Sequence, residues 1–458
     1  SSDVCSSDLA KDGSIGAMET KSVTVSDSQE VTIPLMDQEE GKSTILIFGA
    51  NLLKSITGST SLIFPFAMWQ MGLLTGTLLT MFIVYAYGAC AYRLLQVRKE
   101  FEGEEKKEED PLYHLDNDYT IMCYHYFGKG GYWLILLSTL ITLWGSDMGT
   151  MVLMTDFLTA LPIFRNLSSS VRMQRLLPTI ILFIVSWLSC ILKNPSLLAS
   201  LSSLGLFALI IAFVVLLIYG GVHWGISWDR SVLYPVSLMG VLSNIGVIIN
   251  AFGFLLILFP LYNNLRSKDK PKAVCCINTS LASLGSIYLI TGVVLFLMFR
   301  QDPRHVQEAI LLNLPGNSLA YYAVAITMVL TLLGSFPLLL LPCFEILETN
   351  IKDKRSNKLF VTDSKRFWSR TLQVLITTIL AYFIPRFDSI NAIIGSFTGV
   401  VVSQLLPSFL HWKVIGKRYG MWKVIEDWLN IILFSGVMVI CTYCSVVSLI
   451  HGDRKSVV

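Results

Sequence analysis

The sequence predicts an all-α polytopic membrane protein with eleven transmembrane helices, and three observations carry that prediction. Of the 458 residues 53% are apolar and only 15% charged, where an ordinary soluble chain carries about 25% charged residues. The apolar residues come in long blocks instead of at amphipathic spacing, and a block of about 20 is what a helix needs to cross hydrocarbon. Lys and Arg gather in alternate loops, as they do when loops lie on opposite sides of a bilayer. This excludes a disordered chain, a nucleic-acid binder resting on a basic surface, and most soluble enzymes.

In chain order, residues 1–42 read as a polar, disordered cytoplasmic tail without a signal peptide. Ser1–Leu9 and Asp453–Val458 resemble translated sequencing-library adapter and are set aside. Residues 43–450 form the transmembrane domain, with spans at 43–66, 71–93, 131–160, 176–193, 198–220, 236–262, 274–299, 318–348, 367–386, 389–412 and 426–450; residues 451–458 are terminal. Basic clusters at Lys99–Lys107, Arg266–Lys272, Lys352–Arg366 and Lys413–Lys423 fall on the side of the N-terminus. Arg165, Arg172, Arg175, Arg230, Arg300, Arg304 and Arg386 fall on the other. The prediction is N-terminus cytoplasmic, C-terminus lumenal or extracellular.

Lys99–Asp110 reads as a solvated mixed-charge linker, and Asn166-Leu167-Ser168 as a glycosylation sequon on an outer loop. Outside the adapter-like end, none of the eight cysteines falls in a predicted outer loop, so no structural disulfide is expected. Cys441 and Cys444 read as packed thiols within a helix, and nothing supports a metal site or a cofactor.

Two spans are interrupted. Thr57-Gly58-Ser59-Thr60-Ser61 puts a glycine and four hydroxyl residues near the middle of the first, followed by Pro65. Asn250-Ala251-Phe252-Gly253 forms a matching weak point in the sixth, followed by Pro260. Spans one and six open two five-helix halves, and interruptions at corresponding positions point to the central binding site of an inverted-repeat transporter. A half-helix resuming after Gly58 offers free N–H groups and a positive dipole end to a carboxylate.

The stretch Asn51 to Ala67 with Gly72 resembles the first helix of the amino acid/auxin permease family, nearest its vacuolar and proton-coupled amino acid transporters. The likeness continues at Thr155-Asp156-Phe157-Leu158, Leu312-Asn313-Leu314-Pro315, and Phe336-Pro337 through Pro342 to Glu348. It returns at Arg370-Thr371, Ile384-Pro385, Ile394-Gly395-Ser396 and Pro407, in order over about 43–450. The resemblance implies a LeuT-like five-plus-five inverted repeat plus one extra helix, with an amino acid bound between helices one, three, six and eight. Two positions depart from it. The family's Gly-x-Gly reads Gly58-Ser59-Thr60, and the acidic residue that proton-coupled relatives carry after the phenylalanine is Gly253.

Ionisable groups inside a span are costly and usually functional. Lys54 and Asp147 lie at comparable depth in spans one and three, and the expectation is that they pair, directly or through water, with Asp147 taking a proton. Sodium-coupled relatives carry Asn at the Lys54 position, so an ammonium there stands in for sodium. Thr327, Thr331 and Ser335 stack on one face of span eight, and the resemblance implies that Ser335 lines the cavity. Phe252 is expected to gate the substrate.

The expected substrate-binding set is therefore Thr57, Gly58, Ser59, Thr60, Ser61, Asn250, Phe252 and Gly253, with Lys54, Asp147, Thr331 and Ser335 as the coupling set. The expected function is secondary transport of small or neutral amino acids, proton-coupled or facilitative and sodium-independent. No Gly-x-x-x-x-Gly-Lys-Ser/Thr motif appears to support ATP drive. The alternative is a transporter-like amino acid sensor that signals to a cytoplasmic partner. Family likeness favours the vacuolar or lysosomal membrane. The expected partners are the amino acid, a proton and the lipid bilayer, with no nucleic acid.

Overall fold

The computed structural model describes residues 43–102, 117–166, 170–191, 195–303, 305–348, 363–416 and 420–455. Among these the chain is helical, and its one extended pairing is a bridge between Ser43 and Leu265. The helices are α1 (Ile45–Ile56), α2 (Phe64–Met71), α3 (Leu73–Glu102), α4 (Asp118–Thr159), α5 (Val171–Ile191), α6 (Pro195–His223), α7 (Leu238–Ala251) and α8 (Leu255–Asn263). They continue as α9 (Ala273–Phe299), α10 (Leu319–Glu348), α11 (Ser364–Phe383), α12 (Phe387–Val414) and α13 (Met421–Lys455).

Among the described residues, eight helical segments are long and apolar enough to cross a membrane, where the sequence predicts eleven. Three segments make the difference. Residues 43–66 are broken, which leaves α1 with 12 residues and α2 with 8. In the fifth segment the helix runs from Pro195 to His223, and its apolar part from Phe207 to His223 falls among the shorter apolar helices. The α11 helix carries Lys365, Arg366, Arg370 and Gln373 in its first half, which lowers its apolar character.

The third span begins earlier than its apolar block. The Asn117 side chain caps α4 by accepting from the Tyr119 N–H at 3.0 Å, and Gly128 kinks the helix at a φ of 66°. Only glycine adopts that conformation without strain. The linker expected from Lys99 is helical as far as Glu102, where Arg98 pairs with Glu102 at 3.1 Å and Asp118 at 3.2 Å. The tail 1–42, the rest of that linker and the sequon partners Leu167 and Ser168 lie outside the described residues; Asn166 itself is exposed.

The helices around the centre approach closely where side chains are absent. A methyl added at Gly246 of α7 would overlap the Ala392 carbonyl of α12, and one at Gly395 would overlap the Gly246 carbonyl. Such backbone-to-backbone contact is how apolar helices gain dispersion energy without a hydrophobic driving force. Facing α7, α12 widens into π-helical turns at Gly395–Gly399 and Val401–Leu405. At the far edge Arg370 holds Glu348 through two bonds of 2.9 and 3.1 Å. Arg175 of α5 pairs with Asp156 of α4, which gives Asp156 a structural partner.

Candidate functional site at two broken helices

The first break follows from its residues. Helix α1 ends at Ile56 because Thr57 is extended and Gly58 more so, at φ −130° and ψ −168°. A short 3-10 turn over Ser59–Ile63 then leads into α2, where Pro65 sits in the first turn, a position that needs no N–H. The Ser61 hydroxyl donates back to the Gly58 carbonyl at 2.8 Å.

The second break separates α7 from α8 at Phe252, Gly253 and Phe254. Breaking a helix in an apolar interior strands carbonyls that need donors. Here a tyrosine supplies one at each break, beside the Phe252 N–H that also reaches the Ile249 carbonyl at 3.3 Å. The Tyr87 hydroxyl donates to the Ile249 carbonyl at 2.6 Å, and the Tyr288 hydroxyl donates to the Ile56 carbonyl at 3.3 Å. Asn250 Nδ2 donates to Asn391 Oδ1 at 2.7 Å and ties the break to α12.

Between the breaks lies a cavity of about 480 Å³, within the size range of small-molecule sites. Of the expected residues, Lys54, Thr57, Gly58, Ser59, Thr60, Asn250, Gly253, Thr331 and Ser335 line it. Thr331 donates to the Thr327 carbonyl at 2.9 Å, and Ser335 to the Thr331 carbonyl at 3.1 Å. Three expected residues are not among the lining. Ser61 is buried on its own turn. Phe252 is 0% exposed and packs on Phe64, Tyr87 and Tyr288, so it props the break from behind instead of closing over the cavity.

Asp147 is the third. It is 0% exposed, and among the described residues neither carboxylate oxygen has a hydrogen-bond partner, so the direct bond expected with Lys54 is not made. The reason is rotational. Thr142, Ser146 and Thr150 repeat every four residues and turn one face of α4 to the cavity, which places Asp147 about 100° round the helix from Ser146. That stripe was missed in the sequence, although it repeats the Thr327, Thr331, Ser335 pattern. Tyr87, Asn391 and Ser403 also line the cavity unexpectedly; Asn391 comes from the regular first turns of α12 and Ser403 from its second widened turn.

The cavity draws on α1 and α8, and Ser43 N–H donates to the Asn264 carbonyl at 2.9 Å at the base of those two half-helices. The opposite halves are closed. Phe64, Ala67, Met68 and Met71 of α2 are buried, and Trp69 stacks on His305 at 6.0 Å. Tyr321 donates to the Phe157 carbonyl at 3.0 Å, and Arg386 stands 3.6 Å from Glu308 and 3.9 Å from Asp388. Glu308 lies in the connection between α9 and α10. Burial first, and then the neighbouring Asp388, push its carboxyl well above the usual range, with Arg386 opposing.

Comparison with known proteins places this architecture. The family model described as transmembrane amino acid transporter protein matches residues 41–450. The chain belongs to that family. It is 24% identical over 425 residues to the Amino acid transporter ANT1 of Arabidopsis thaliana, covering 89% of this chain and 91% of that one. It is 22% identical over 431 residues to the Proton-coupled amino acid transporter-like protein pathetic of Drosophila melanogaster, covering 89% and 83%. With the Vesicular inhibitory amino acid transporter of Xenopus tropicalis it shares 25% over 422 residues, covering 88% and 75%. The family is one of membrane transporters and not of enzymes, and these relatives support amino acid transport.

Proposed function

We propose that the protein carries small or neutral amino acids across a membrane by alternating access, as a sodium-independent secondary transporter driven by protons or by the substrate's own gradient. The cavity at the two breaks carries this reading. Hydroxyls of Thr57, Ser59 and Thr60 and the resumed turn after Gly58 suit a carboxylate, while Leu209, Met328 and Leu332 suit an apolar side chain. Lys54 is the one charged side chain on its wall among the described residues, so nothing there attracts a cationic side chain. An ammonium also supplies the positive charge that a bound sodium ion would otherwise bring.

On this reading the two halves form a five-plus-five inverted repeat with α13 as the extra helix. The N-terminus is cytoplasmic, the membrane vacuolar or lysosomal, and the closed half, with Glu308 and Arg386, lumenal. Asp147 acts one layer behind the substrate. A proton arriving or leaving there changes how α4 packs on its neighbours, without contacting the amino acid.

Uptake of radiolabelled neutral amino acids into proteoliposomes in sodium-free buffer tests the proposal. Uptake stimulated by an inward proton gradient supports a symporter, and gradient-indifferent, saturable counter-exchange supports a facilitator. Ligand binding without flux would overturn transport in favour of a sensor.

A further inference from the structure

Each broken helix hands a carbonyl near its break to a tyrosine from the other half of the molecule. Ile56 closes α1, and its carbonyl accepts from Tyr288 of α9, the helix after α8. The Tyr288 hydroxyl also meets the Thr57 side chain and the Gly58 backbone. The Ile249 carbonyl of α7, which the Phe252 N–H also reaches at 3.3 Å, accepts from Tyr87 of α3, the helix after α2, with the Ser403 hydroxyl 3.1 Å from the phenol oxygen. The exchange is reciprocal.

The two tyrosines are also joined. Phe252 packs on Tyr87 at 6.4 Å and on Tyr288 at 5.7 Å between ring centres. Phe64, which opens α2, packs on Tyr288 at 5.1 Å and on Phe252 at 6.4 Å, and Phe254 adds a contact to Tyr87 at 6.0 Å. Tyr87, Phe64, Phe252 and Phe254 are 0% exposed and Tyr288 2%. Five buried rings thus run from one break to the other, with Tyr87 reaching the cavity wall and the other four absent from its lining.

We propose that Tyr87 and Tyr288 are positioning residues that hold the two breaks in their substrate-ready shape, each acting on the break of the opposite half. A helix-end carbonyl without a donor draws in the next available N–H, which tightens the turn. A phenol hydroxyl that takes the carbonyl lets the chain at Thr57 and Gly58 stay extended and keeps its polar groups turned to the cavity. Phe252 links the two, so a change at one break is felt at the other. The inference rests on the amino acid site proposed above.

The test uses the full-length protein and its Tyr87→Phe and Tyr288→Phe variants, which lose one hydroxyl and keep the ring. Equilibrium binding of tritiated L-alanine and of tritiated L-leucine is measured with each, alongside thermal melting. The expected result is a roughly tenfold weaker Kd in each variant with melting within a few degrees of wild type, the scale of one net hydrogen bond. The double variant weakens by less than the product of the two. Hydrogen exchange reads the breaks without ligand: Tyr288→Phe alters the rates at 57–61, and Tyr87→Phe those at 252–255. Ser403→Ala shifts affinity in the direction of Tyr87→Phe and covers the case in which that variant misfolds. Unchanged Kd and exchange overturn the inference, as does a Kd loss that only tracks a lower melting point. Wild type that binds neither amino acid sinks the proposed site itself, a separate failure that the exchange data distinguish.

Discussion

The first break is built from Thr57, Gly58, Ser59 and Thr60, and all four line the cavity. The second is flanked by Phe252 and Phe254, both wholly buried, and touches the cavity through Asn250, Ala251 and Gly253. Nothing lies within 4 Å of a methyl built at Gly58, whereas one at Gly253 would sit 3.2 Å from the Asn250 carbonyl. Two interruptions at corresponding places thus do different work. The polar one presents groups to a ligand, and the aromatic one is fastened to α12 and to the rings behind it. A hydroxyl-rich break keeps its freed backbone groups solvated, while an aromatic break buries enough apolar surface to hold its position.

The sharpest way to break this contrast is to add bulk at each helix. Gly246→Val drives a side chain into the Ala392 carbonyl and forces α7 off α12, so no monodisperse protein is expected on size exclusion. Gly58→Val, in extended backbone and open space, is expected to fold and to lose affinity instead. Equal recovery of both proteins would show that the second break is no anchor.

Next in size is Phe252→Ala, which empties a buried aromatic site and costs about 3–5 kcal/mol. Thermal melting should fall well below that of Phe252→Leu, and a melting point near wild type would remove the propping role.

Smaller in stability but large in transport are the effects at two ionisable residues, Lys54 of α1 and Asp147 of α4. Lys54→Ala is expected to lower uptake at least tenfold with little change in melting, because the side chain lines the cavity. Asp147→Asn, behind the cavity, is expected to alter the response to a proton gradient and leave substrate KM within about twofold. Normal transport by both variants would end their mechanistic role.

The smallest effect belongs to the closed half. Glu308 holds its proton more tightly in the folded protein than in the unfolded chain. Its contribution is therefore fully present at acid pH and declines as pH rises from the ordinary carboxylate range through its raised value. Melting curves between pH 5 and pH 7.5 should fall less steeply for Glu308→Gln than for wild type. Parallel slopes would show that the carboxyl titrates as if free.

Much of the site was legible because it rests on backbone chemistry. Gly58 and the hydroxyls around it announce a helix that stops, and Pro65 announces where it resumes. Ser335 and Thr331 were found by spacing of four. The same spacing recurs in Thr142, Ser146 and Thr150, next to the charged Asp147, which lies one position along and is not among the lining residues. Phe252 lies at the second break with its ring on Phe64, Tyr87 and Tyr288, a direction that an aromatic residue next to a glycine does not declare in sequence.

Family membership and the all-helical membrane character were set by the sequence alone, because both follow from apolar run length and from ordered motifs spread over 41–450. Even the existence of two interruptions was local, a matter of Gly, Ser, Thr and Pro at particular positions. Which side chains meet across them was not. Tyr87 reaches a carbonyl 162 residues away and Tyr288 one 232 residues away, and α12 delivers Asn391 from its regular first turns and Ser403 from a widened one. Those meetings depend on how helices rotate and cross under close packing, and a period read along one strand of sequence fixes a helix's faces without fixing what each face will touch.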